Sequence, residues 1–72
     1  MTDPRLPLTP RQSQVVRLVS EGCADKEIAA SLGISEAGVR KHLEAVFRKY
    51  SVANRTALVR AAVQAGDLEL RH

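Results

Sequence analysis

The sequence predicts an all-α domain, and three features carry that expectation. Its apolar fraction of 44% comes mostly from Leu, Val, Ile and Ala, with Phe47 and Tyr50 as the only aromatics, a set that suits closely packed helices better than a sheet. Apolar residues recur at three- and four-residue steps, and capping residues and glycines punctuate them so as to leave four helical segments. With 72 residues the chain makes at most one domain, and a domain of that size buries only about 60% of its unfolded surface, so the core must be small.

Met1 to Leu8 contains Pro4 and Pro7 among polar residues, which reads as a flexible leader or the remnant of a linker. Thr9 opens regular structure. It is a good N-cap, Pro10 sits at the first helical position where its missing N–H costs nothing, and Gln12 completes a capping box. The first helix is expected from Pro10 to about Glu21, stopping at Gly22, with Val15, Leu18 and Val19 on the core side.

The second helix is expected over 25–32, with Ile28, Ala29 and Leu32 as its apolar stripe and the Asp25 carboxylate favourable at its start. Gly33 can take the left-handed conformation that ends a helix and turns the chain sharply. Ser35 then caps a third helix, and Ile34 has the spacing of a hydrophobic staple with Val39.

That third helix, over 36–50, sorts its residues by face. Val39, Leu43, Val46, Phe47 and Tyr50 fall on one side and go inward. Ala37, Arg40, Lys41, Glu44 and Arg48 fall on the other, a polar and mostly cationic row facing solvent. A short helix, a Gly turn and a Ser-capped longer helix in succession read as a helix-turn-helix, whose second helix enters the DNA major groove.

Asn54 caps a fourth helix over 55–65, ended by Gly66. Thr56, Arg60 and Gln64 form a single polar stripe, while Ala and Val residues with Leu58 cover most of the remaining circumference. One flank can pack inward. The other, centred on Val59 and Val63, has nothing intramolecular to cover it, which points to a partner. The domain is therefore expected over 9–66, with 67–72 a weakly ordered tail.

Composition excludes several classes of function. Cys23 is the single cysteine, so no intrachain disulfide exists, and with only His42 and His72 beside it no zinc-ligand spacing can be assembled; a reducing, cytoplasmic setting fits. No apolar run is long enough to span a bilayer, and the first eight residues hold no signal-peptide core, so no membrane association is expected. The acids are scattered, no glycine-rich phosphate loop occurs, and no nucleophile is patterned with a His and an acid, so the chain is expected not to be an enzyme and to need no cofactor. A net charge of +3 and a pI near 9.6 favour an anionic partner.

Leu8-Thr9-Pro10-Arg11, Glu21-Gly22, Lys26-Glu27-Ile28-Ala29, Leu32-Gly33-Ile34-Ser35, Val39-Arg40-Lys41-His42 and Val52-Ala53-Asn54-Arg55-Thr56 follow one another at separations that resemble the LuxR-type helix-turn-helix domain. The resemblance covers about residues 8 to 65. It implies a four-helix DNA-binding domain of bacterial transcription regulators, with the third helix reading double-stranded DNA and the fourth making a homodimer through Val59, Ala62 and Val63.

Carried over position by position, the resemblance puts Arg40, Lys41 and Glu44 at base edges. Lys26, Ser35, Gly38, Arg48 and Arg55 fall at backbone-contacting positions, and His42 lies at the boundary of the two faces, near a phosphate or packed within the domain. RNA polymerase is a further candidate partner for such a regulator. Three departures from the family pattern stand out: Gly38 replaces a hydroxyl residue, Ser51 replaces the Gly that usually ends the third helix, and Ala24 replaces the hydroxyl cap of the second.

The residue chemistry leaves alternatives open. Arg40 and Lys41 can donate to guanine O6 and N7 or remain solvated; Glu44 can accept from cytosine N4 or pair with Arg40, Lys41 or Arg48 along its own helix. Two other readings compete with DNA-binding regulation: a protein-interaction module using the apolar strip, and a sigma-factor-like promoter-recognition domain. The fourth helix argues against the latter, which would not need a dimerisation helix. Either a free-standing small regulator or an excised output domain fits the length.

Overall fold

The computed structural model describes residues 7–69; 1–6 and 70–72, which hold most of the leader and the end of the tail, lie outside the described residues. Four helices follow in order: α1 (Pro10–Ser20), α2 (Asp25–Leu32), α3 (Glu36–Tyr50) and α4 (Arg55–Gln64). No strand occurs among the described residues. The predicted boundaries hold to within one residue.

The N-termini follow their capping residues. Thr9 Oγ1 accepts from the Gln12 N–H at 3.1 Å while Gln12 Oε1 accepts from the Thr9 N–H at 3.0 Å, closing the box on α1. Ser35 Oγ and Asn54 Oδ1 accept from Gly38 and Ala57 N–H at 2.9 and 2.8 Å. Ala24 has no side-chain oxygen to offer α2, and Glu27 satisfies only the N–H of Ala24 itself, at 2.8 Å. The first-turn amides of α2 therefore have no side-chain cap.

All four C-termini close the same way. Cys23, Ile34, Val52 and Asp67 each donate a backbone N–H to the carbonyl five residues earlier, at 2.9 to 3.1 Å, across a residue of positive φ. Three of those residues are glycines. The fourth is Ser51, with φ 54°, which holds the left-handed conformation despite its Cβ.

α3 runs through the centre of the domain, packed by α1, α2 and α4, and α1 also packs on α4 and α2. α2 and α4 do not pack on each other. Val15, Val16, Ile28, Val39, Val46, Leu58 and Ala62 lose all solvent exposure, and Leu43, Val19, Ala29 and Leu68 complete the core. Val16 and Gln12 are buried although sequence periodicity singled out Val15, Leu18 and Val19 on α1; Leu18 is only half-buried. α1 meets α3, α4 and α2 at once, so its contact surface is wider than a single stripe.

Packing also extends beyond 9–66. Leu8 packs against the core and Leu68 is buried. After Gly66 the chain turns back, and Asp67 and Leu68 N–H groups both reach the Ala62 carbonyl. The Tyr50 hydroxyl donates to Asp67 Oδ2 at 2.5 Å. Burial first, then that hydrogen bond and the nearby carboxylate charge, hold the phenol well above its usual range. The expectation of a weakly ordered tail fails for residues 67 and 68, because a hydrophobic residue after a Gly-closed helix end folds back onto the core.

Candidate nucleic-acid interface

The turn between α2 and α3 sets the site. Gly33, at φ 66°, reverses the chain within two residues, and Ser35 starts α3 with its side-chain cap. Val39, Leu43 and Val46 anchor one side of α3 in the core, with Phe47 and Tyr50 half-buried beside them. The fifteen residues of α3 make a rod of about 22 Å. Ala37, Arg40, Lys41, Glu44 and Arg48 are all exposed on the opposite side.

Three cations and one carboxylate thus stand on one open helix face. Among the described residues no ion pair engages Glu44, so its carboxylate does not neutralise Arg40, Lys41 or Arg48 by direct contact. Such a surface presents a positive field with one acceptor inside it, an arrangement fitted to an anion whose interior offers hydrogen-bond donors.

The residues around that face differ in what they have left to give. Lys26 is exposed on the first turn of α2. Ser35 is exposed, and although its oxygen accepts from Gly38 its hydroxyl proton remains able to donate. Gly38 has no side chain and its N–H is used by Ser35, so it offers close approach rather than a hydrogen bond. A Cβ there would sit 3.3 Å from Ser35 Oγ and crowd the cap. His42 is half-buried at the edge of the face.

Arg55, expected at a backbone-contacting position, is partly exposed and also engaged within the domain. Its guanidinium is ion-paired to the Asp25 carboxylate and donates to the Cys23 carbonyl at 3.3 Å. It is committed to the α1–α2 loop and the start of α2, with Lys26 and Glu36 lining the same shallow depression. Nothing local in the sequence signals this pair, which is separated by 30 positions.

On α4 the expected partner-facing trio divides. Ala62 is fully buried in the domain's own core and offers nothing to a second molecule, which corrects its assignment. α4 turns Leu58 and Ala62, four residues apart, onto α1 and α3, so both lie on the inward flank. Val59 is half-buried, and Val63, at 37% exposed, is the one exposed large hydrophobic among the described residues. Together with Val19 of α1 they line a shallow apolar depression bordered by Thr56, Arg60 and Gln64.

No group of three His, Cys, Asp or Glu side chains among the described residues is placed to hold a metal ion. No helix among them is long and apolar enough to cross a membrane.

A capped four-helix unit with an exposed cationic face on its third helix is the architecture of a helix-turn-helix domain. The family profile described as bacterial regulatory proteins, luxR family, matches residues 6–62, and the chain belongs to that family. Over 65 residues it is 45% identical to the response regulator Rre1 of Synechocystis sp., covering 90% of this chain and 28% of Rre1. Among solved structures it is similar to the response regulator ChrA of a heme-sensing two-component system, with a TM-score of 0.86 and 36% identity over 92% of this chain and 33% of that one. It is also similar to the transcription factor GerE, with a TM-score of 0.83 and 29% identity over 90% of this chain and 97% of GerE. The chain thus spans under a third of Rre1 and nearly all of GerE. It is a luxR-family helix-turn-helix domain of the kind found in transcription regulators.

Proposed function

We propose that this domain binds double-stranded DNA sequence-specifically as the output element of a cytoplasmic bacterial transcription regulator. α3 lies in the major groove, with Arg40 and Lys41 donating to guanine edges and Glu44 accepting from cytosine N4. Lys26, Ser35, Arg48 and His42 meet the phosphates on either side, and Gly38 lets the backbone come close. The uncapped first turn of α2 adds amide donors and the positive end of its dipole to the same task. The single observation that carries the reading is the exposed row on α3, opposite a core-anchored face.

A second copy of the chain covers Val59 and Val63 in a two-fold contact through α4. The support is the exposure of Val63 one turn from half-buried Val59, at an apolar depression that Thr56, Arg60 and Gln64 border. Two copies place two α3 helices on half-sites about one helical turn apart, so the operator is expected to be palindromic.

Selection of bound duplexes from a random pool tests both parts. A recurring inverted repeat is the expected result, with affinity that falls steeply as salt rises, by about 0.9 log units per log unit of salt for each phosphate neutralised. Absence of binding at low salt overturns the DNA reading. A single asymmetric half-site overturns the dimer.

A further inference from the structure

α2 and α4 share no packed interface, yet the first residue of each is tied to the other by the Arg55–Asp25 ion pair. The same guanidinium holds the Cys23 carbonyl, so a single side chain gathers the α1–α2 loop, the start of α2 and the start of α4. The pair is partly shielded, Arg55 being 41% and Asp25 26% exposed by side chain. A guanidinium presents its donors in a rigid planar fork, so two acceptors met at once fix the direction of the helix that carries it.

We infer that Arg55 is a positioning residue and Asp25 its counter-ion: the pair clamps the N-terminal end of α2 to the N-terminal end of α4, holding the α2 amides and Lys26 in register with α3 for the DNA backbone. This rests on the DNA reading above and deepens it. The clamp also links the two proposed surfaces, because α4 carries Val59 and Val63 while α2 carries Lys26. A partner seated on α4 and a duplex seated on α2 and α3 thus meet through one ion pair.

The alternative role for Arg55 is direct contact with a phosphate, and the two roles separate by salt dependence. Arg55→Gln, Arg55→Lys, Asp25→Asn and the double variant Asp25→Asn with Arg55→Gln are titrated, as full 72-residue chains, with a mixed-sequence duplex over a salt series. Circular dichroism checks that each keeps its helicity. Positioning predicts that each single variant weakens binding by about threefold or more, that the double is no weaker than either single, and that Arg55→Gln and Asp25→Asn change the slope of log affinity against log salt alike, since both loosen the same Lys26 contact. Arg55→Lys falls with Arg55→Gln, since an ammonium cannot span both acceptors.

Arg55→Gln flattening the slope by about 0.9 while Asp25→Asn tightens binding overturns the inference and makes Arg55 a phosphate ligand restrained by Asp25. Additive losses, or no loss, also overturn it. Unfolding midpoints of the same set give a reading independent of DNA: additive shifts there mean that no clamp forms in solution. A wild-type chain that binds no duplex at low salt overturns the DNA reading itself, and is told apart from clamp failure because it precedes any substitution.

Discussion

α3 and α4 each turn an apolar face to the core and differ in the surface they leave outside. α3 turns Val39, Leu43 and Val46 inward and shows solvent Arg40, Lys41, Glu44 and Arg48. α4 turns Leu58 and Ala62 inward and still has apolar surface left over, half-buried at Val59 and open at Val63. Helical periodicity identifies the inward face of α3, whereas on α4 it leaves Ala62 on the partner-facing flank that the packing contradicts. What the two helices do is set by the chemistry of the other face: charges that desolvation would penalise suit a hydrated polyanion, and an apolar remnant suits a surface that also excludes water.

The contrast makes predictions of graded size. The largest effect is expected where α4 meets the core: Leu58→Ala removes a fully buried side chain and lowers stability by about 2–5 kcal/mol, read as a lower denaturant midpoint. A midpoint close to wild type shows that α4 contributes little to the fold, and the comparison with α3 collapses.

On α3 the expected loss concerns recognition rather than folding. Arg40→Ala costs about 1–3 kcal/mol of discrimination between selected and scrambled duplexes, and Lys41→Ala acts in the same direction, with helicity by circular dichroism unchanged. Unchanged discrimination refutes the reading-face assignment. On the exposed flank of α4, Val63→Glu places a charge where a second copy must exclude water. It is expected to weaken self-association about tenfold, with the monomer mass emerging in light scattering and the stability of the monomer nearly constant. An unaltered mass places any dimer contact elsewhere.

The smallest change sharpens the boundary between the two helices. Ser51 joins α3 to α4 in the left-handed conformation that glycine adopts at the ends of α1, α2 and α4. Ser51→Gly relieves the Cβ cost but adds freedom to the unfolded chain, so a net gain of about 0.5 kcal/mol is expected, visible as a slightly higher melting temperature. A loss of stability instead indicates that the Ser51 hydroxyl or its lower unfolded-state entropy outweighs the strain.

Much of the fold was legible in the chain because its signals are local. Thr9 with Gln12, Ser35, Asn54 and the glycines at 22, 33 and 66 mark helix ends through contacts only a few residues long, and the structure places those ends within one residue of where they were expected. The exposed row on α3 was legible for the same reason, since the spacing of its members along one helix determines their common face. Val16, Gln12, Leu68, Ala62 and the partner of Arg55 were not, because each depends on which elements lie beside it.

Local signals in the chain thus specify four helices, the side-chain caps of α1, α3 and α4, the glycine turns, and the cationic face carried by the third. Tertiary structure alone decided that Leu68 returns to the core, that Tyr50 bonds Asp67, that Ala62 is spent inside the domain, and that Arg55 closes on Asp25. The physical reason is range. Capping and periodicity act within a turn or two of helix, whereas these pairings join positions up to 30 residues apart, and only the packing of α1, α2 and α4 around α3 brings them within reach.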